Sequence, residues 1–281
     1  MPMPLSKCRM FACIAVVVVA GLPSVATADE WEACVKLPNE LAVAGCSGAI
    51  DTRQYSGRSL ARIHARRAGA YAAQGDRDRA LADFSESMRI DPTYASAWNN
   101  RGTFWFRSGE FDRAIADFNE AIKRDPKYAV AYSNRASAWG GKREFQRAIA
   151  DLDHAIQLDP TYAEAYYNRG RAHSAGGDRE RAMADYSKAI KLDPNYQMAY
   201  VNRGSLWGAK GNFDRAIADL DEAIRLDPRD AMAYYNRGMA WEMKHSLQKA
   251  LADYRMHAQL KPSDPNALEA VRRVAKELSA I

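Results

Sequence analysis

The sequence predicts an all-α solenoid built from short helix-turn-helix units, and three observations predict it. Asp-Pro recurs at a spacing of 34 residues, as Asp91-Pro92, Asp125-Pro126, Asp159-Pro160, Asp193-Pro194 and Asp227-Pro228, and Lys261-Pro262 continues the phase. An aromatic column (Trp98, Tyr132, Tyr166, Tyr200, Tyr234) and two small-residue columns, one headed by Gly102 and Ala136 and the other by Ala114 and Ala148, keep the same beat. Within one unit Trp98, Gly102 and Trp105 lie four and three residues apart, as do Ala114, Phe118 and Ala121, which is the spacing of a helical face. Neither short helix buries its apolar face alone, so stacking must supply the core.

Composition agrees with a folded chain. With 47% hydrophobic and 27% charged residues, neither disorder nor low complexity fits the 281 residues. Lys and Arg number 40 against 35 Asp and Glu, interleaved along the chain, and this mild, dispersed excess excludes the dense basic patch of a nucleic-acid binder.

The first element, residues 1–28, reads as an export signal. Lys7 and Arg9 precede the apolar run Met10 to Leu22, Pro23 breaks it, and Ala26-Thr27-Ala28 offers small residues to a signal peptidase. The run is shorter than the roughly 20 residues of a spanning helix, so no integral membrane segment is expected in the mature chain. The expected location is outside the cytoplasm, the periplasm in a Gram-negative source. Cys34 and Cys46 then remain as an even pair in an oxidising compartment, and a disulfide is expected between them.

The second element, residues 29–60, reads as a degenerate hairpin clamped by that disulfide, because running the period back puts Cys34 in the Gly102 column and Cys46 in the Ala114 column. Residues 61–264 hold six full units. Gly75, Gly109, Gly177 and Gly211 separate the two helices of four of them, and each Pro stops a second helix. The last element, 265–281, reads as a capping helix in which Asp264 caps, Pro265 begins, and Leu268, Val271, Val274 and Leu278 share one side.

The unit Ala95 to Tyr128, with Trp98, Gly102, Trp105, Ala114, Phe118, Ala121 and Pro126 in order, resembles the tetratricopeptide repeat family. The resemblance covers about residues 61 to 264. It implies a right-handed superhelix whose first helices line a concave face, and a protein or peptide partner. The sequence holds no G-x-S-x-G, P-loop, H-E-x-x-H or Cys-x-x-Cys-His, so no catalytic activity and no cofactor are expected.

Candidate residues are weighed against that frame. His64, His154, His173, His245 and His257 fall in different units without i, i+4 pairing, so no metal site is expected. Arg67, Arg101, Arg135, Arg169, Arg203 and Arg237 recur with Asp83, Asp117, Asp151, Asp185, Asp219 and Asp253, a pattern expected to form ion pairs between the helices. The functional candidate is the column Asn100, Asn134, Asn168, Asn202 and Asn236, headed by Arg66. Asn is a poor helix former, and its return in five first helices needs a reason. The column is similar to the asparagine ladder in the repeat domain of O-linked N-acetylglucosamine transferase, which implies amides holding the backbone of an extended peptide. The alternative is that each Asn bonds only its neighbouring repeat. Arg171, Tyr167, Tyr235, Met232 and Met239 are expected on the same face, basic early and apolar late. The expected function is an exported scaffold or adaptor for an extended peptide or protein in cell-envelope assembly. The alternative is a substrate-recruiting or regulatory subunit of an envelope enzyme acting on peptidoglycan or polysaccharide.

Overall fold

A computed structural model of the chain describes Cys34, Lys36 and residues 38–280, and the expected export signal lies outside the described residues. Fourteen helices and no strand occur among them: α1 (Asn39–Asp51), α2 (Gly57–Ala73), α3 (Arg77–Ile90), α4 (Ala95–Arg107), α5 (Phe111–Arg124), α6 (Ala129–Gly141), α7 (Phe145–Leu158), α8 (Ala163–Ala175), α9 (Arg179–Leu192), α10 (Gln197–Ala209), α11 (Phe213–Leu226), α12 (Ala231–Met243), α13 (Leu247–Leu260) and α14 (Pro265–Leu278). Helices α2 to α13 pair as six successive hairpins. None of the described helices is long and apolar enough to cross a membrane.

Each hairpin closes through a small residue at the crossing. A Cβ added at Gly102 would lie 2.7 Å from the Phe118 ring, and one at Gly170 would lie 2.7 Å from Tyr186, so the first helix comes close only without a side chain there. The turn inside each hairpin needs a left-handed residue. Gly75, Gly109, Gly177 and Gly211 supply it, whereas Arg143 and His245 hold the same place with φ of 62° and 55°. In four of the hairpins the turn is therefore glycine, and in two it is a residue under backbone strain.

The Asp-Pro dipeptide does more than stop a helix. Oδ1 of Asp91, Asp125, Asp159, Asp193 and Asp227 accepts from the backbone N–H two residues on, at 2.8 to 3.0 Å, forming the Asx turn that redirects the chain into the next hairpin.

One bidentate arginine–aspartate pair joins the two helices of each of the six hairpins, as in Arg169 to Asp185 at 2.7 and 2.9 Å. The aspartates are buried and the arginines half-buried. Several of these arginines also reach back to the preceding hairpin: Nη1 of Arg135, Arg169 and Arg237 donates to Asn119, Asp153 and Asp221, each at 2.6 Å. One side chain therefore fixes helix pairing and hairpin stacking together. Hydrogen bonds to Asp185 first, and then to Asp153, outweigh burial and raise the Arg169 pKa.

At the amino end Cys34 and Cys46 are disulfide-bonded with Cα atoms 4.4 Å apart, fully buried beside Ala49 and Ile63, and α1 packs on α2. At the other end Asp264 accepts from the Asn266 N–H and caps α14. Ala270 and Val274 are its buried residues, with Val271 and Leu278 partly covered. Leu268 is a correction to the sequence reading: it is exposed, because the stripe against α13 runs through 270, 274 and 278, and 268 lies on the other side of that stripe.

Candidate functional site

First helices of successive hairpins touch one another, α2 with α4, α4 with α6, α6 with α8 and α10 with α12, and no comparable packing joins successive second helices among the described residues. The first helices are therefore on the inside of the curve. Helices α8 and α10 pack less closely than the other neighbours. Tyr167 occupies the place where the two preceding repeats have Asn99 and Ser133, and its ring lies between the two helices, 4.9 Å from the Tyr196 ring.

The opening is a cleft of about 720 Å³ on this inner face, reaching from the end of α4 across α6 to α8 and α10. It brings together four of the expected site residues, Tyr167, Asn168, Arg171 and Asn202, with Met198 beside them. A second cleft, about 500 Å³, holds Asn100 nearer the amino end. Asn134, Asn236, Arg66, Tyr235, Met232 and Met239 line neither.

The asparagine column has an internal use. Nδ2 of Asn134 donates to Asn99 Oδ1 at 2.9 Å, that of Asn168 to Ser133 Oγ at 3.4 Å, and that of Asn202 to the Tyr167 hydroxyl at 3.2 Å. Each partner lies 35 residues earlier, so the amide NH2 ties one first helix to the one before it. A side-chain amide has an acceptor as well as donors, and these three contacts use the donor half. Asn100 is exposed and its Oδ1 accepts from Asn99 Nδ2 at 3.4 Å, while Asn236 is half-buried and the residue 35 positions before it is the apolar Val201.

Tyr167 departs from the expectation of an exposed contact. It is only 6% exposed, with its ring 5.8 Å from Tyr186, so its edge and hydroxyl rather than its face line the cleft. Burial drives its hydroxyl pKa up, against a pull from Arg171. Arg171 is exposed above that ring, 5.9 Å from its centroid. Met232 and Met239 are exposed on α12, together with Met243 and, on α10, Met198, which makes the carboxyl end of the inner face apolar. Tyr235 is half-buried against Tyr254 and His257. Arg66 is half-buried on α2. The histidines are held structurally in three cases: His64 by Asp83 at 2.8 Å, His257 by Ala231 O and Asp264, and His173 beside Asp185.

Sequence reasoning missed Gly140, Gly141, Phe106 and Phe111, which open and wall the cleft at α6. The Gly-Gly pair at the end of α6, where α4 has Phe-Arg and α12 has Glu-Met, was the available signal.

Tetratricopeptide repeat models match residues 61–94, 95–128, 163–196 and 202–265, and a further TPR repeat model matches 144–177. No curated protein matches the chain. Among solved structures, the fold is similar to YrrB, described as a TPR protein with an unusual peptide-binding site (22% identity, 67% of this chain and 97% of that one, TM-score 0.54). It is also similar to MamA (28%, 58% and 96%, 0.51) and to PilW, described as a widely conserved type IV pilus biogenesis factor (18%, 77% and 98%, 0.67).

Proposed function

The chain belongs to the tetratricopeptide repeat family, and from that premise we propose that it is an exported scaffold or adaptor. It binds an extended peptide or protein segment along its inner face and serves cell-envelope assembly, with no reaction of its own. The observation that carries the reading is the cleft between α6 and α10, which the side-chain amides of Asn168 and Asn202 line beside an exposed Arg171. An amide oxygen accepts from a backbone N–H whatever the side chain, so a row of them holds an extended segment without reading its sequence.

Export is supported by the buried Cys34–Cys46 bond, since such bonds persist in oxidising compartments, together with the charged, apolar, Ala-x-Ala order of residues 7 to 28. The envelope role draws support from PilW, and groove binding from YrrB, each for what it is described to be. Site-specific photo-crosslinking in the source envelope tests the proposal. A crosslinker at Ser205, exposed in the cleft, should give a discrete protein adduct, and one at Gln157, exposed on the second helix α7, should not. Adducts from position 157 alone would overturn the inner-face assignment.

A further inference from the structure

We propose that the cleft over α6 takes one large apolar or aromatic side chain of the bound segment, and that Arg171 pairs with a carboxylate adjacent to it in that segment. The inference rests on the groove-binding reading and adds the chemistry of the occupant.

The cleft is shaped for a side chain. Phe106 and Phe111, with centroids 5.8 Å apart, wall one end, and Met198, Tyr196 and Leu206 wall the other. Over α6 the floor is bare: a Cβ added at Gly140 would meet nothing within 4 Å, although the neighbouring Gly141 is pressed on the Phe111 ring, where a Cβ would lie 2.6 Å away. The volume of about 720 Å³ exceeds what one side chain needs, leaving room for the backbone that carries it. Tyr167 and Tyr186 are 6% and 2% exposed, so neither offers an open ring face for a flat sugar to stack on, and insertion of an apolar group is the better match.

The charge of the occupant follows from Arg171. Among the described residues no carboxylate lies within ion-pair distance of it, and its contact is with the Tyr167 ring. Burial raises the hydroxyl pKa of Tyr167 and Tyr186, and in both the Arg171 charge works in the opposite direction, whereas at Tyr196 the Glu164 charge outweighs it, so the positive charge stands over the Tyr167 and Tyr186 side of the cleft. Glu164 also lines the cleft, but two helical turns away on α8, or about 10 Å along the axis, where it accepts from the Tyr162 hydroxyl at 3.2 Å. A carboxylate near Arg171 is thus attracted without meeting Glu164.

The test is selection from a displayed library of random 12-residue peptides on the whole disulfide-bonded chain, followed by affinity measurement of the best peptide. Enriched peptides should carry Phe, Tyr, Trp, Leu or Met within two residues of Asp or Glu. Gly140→Leu should weaken binding at least tenfold while the melting temperature holds or rises, since the new side chain enters open space. Arg171→Gln should weaken the acidic peptide several-fold and leave its Asp→Asn or Glu→Gln counterpart unchanged. The Arg171 cycle decides the charge alone if Gly140→Leu lowers the melting temperature. Peptides that are indifferent to both variants, yet weakened when Asn134, Asn168 and Asn202 become Ala, would overturn this inference and leave groove binding standing. A library that enriches nothing would overturn both.

Discussion

Changing Asn134, Asn168 and Asn202 together to Ala separates the two uses of the asparagine column. On the folding side the variant loses three donations to the preceding repeat, at 2.9, 3.4 and 3.2 Å. An intramolecular hydrogen bond contributes about 0.5–1.5 kcal/mol, and the two longer contacts belong at the low end. Alanine returns about 0.5 kcal/mol or more of helix propensity at each of three positions. Asn99, Ser133 and Tyr167, all buried, each lose a donor, and the Asn99 Oδ1 loses the shortest of the three contacts. Net stability should change by no more than about 1 kcal/mol, read by urea melts followed by circular dichroism. On the binding side, three amide oxygens that accept from a peptide backbone contribute about 1.5–4.5 kcal/mol together. Affinity for a groove peptide should therefore fall by about one to three orders of magnitude, read by fluorescence polarisation. A variant that stays folded and keeps full affinity would refute the column as a binding surface. One that loses binding only in proportion to a large drop in melting temperature would show that its work is confined to joining repeats.

Arg169→Ala strips both Asp185, 6% exposed, and Asp153, and leaving a buried carboxylate unpaired should cost about 3–5 kcal/mol; hydrogen exchange should show α8 to α14 opening apart from the amino-terminal hairpins, and a loss below 1 kcal/mol would contradict the ladder. Gly170→Ala places a Cβ 2.7 Å from Tyr186 and 3.2 Å from the Ala182 carbonyl, and thermal melting should show a destabilisation of about 1–3 kcal/mol despite the gain in helix propensity. Reducing the Cys34–Cys46 bond, which spans 12 residues, should remove about 3 kcal/mol of cross-link stabilisation from the α1 end while helicity from α2 onward persists; free thiols titrating in unreduced exported protein would contradict the pairing. Burial pushes the Asp83 carboxyl up, but hydrogen bonds from Arg67 and His64 outweigh it, so its pKa sits below the ordinary value near 3.8. Its contribution is then fully present above about pH 4 and is lost as pH falls through the folded value, and Asp83→Asn should flatten the acid limb of urea melts between about pH 4 and 2.

The hairpin architecture was legible in the chain because it is periodic. A 34-residue beat in Pro, in small residues and in aromatics specifies where helices stop and which faces meet, and every repeat restates the same instruction. The arginine–aspartate pairing was legible for the same reason, as two columns 16 residues apart. The cysteine bond was legible because two cysteines remain after the export signal and because the phase puts them on the two columns where helices cross. The Asx turns made by the aspartates of Asp-Pro, and the Arg143 and His245 that replace a turn glycine, were not foreseen, because a periodic pattern records that a turn occurs and not which hydrogen bonds or φ values build it.

The site divides along the same line. The sequence by itself determined that an asparagine recurs in five first helices, and the family resemblance supplied the expectation that this column, Arg171 and the methionines toward the carboxyl end share the inner face. Only the tertiary structure decided which half of each amide is spent within the chain, because the partner sits one repeat back and its identity changes from Asn99 to Ser133 to Tyr167. It also decided where the inner face opens. That opening depends on a large ring wedged between α8 and α10 and on a missing side chain at Gly140, two departures from the repeat, and periodicity averages departures away while packing responds to each one.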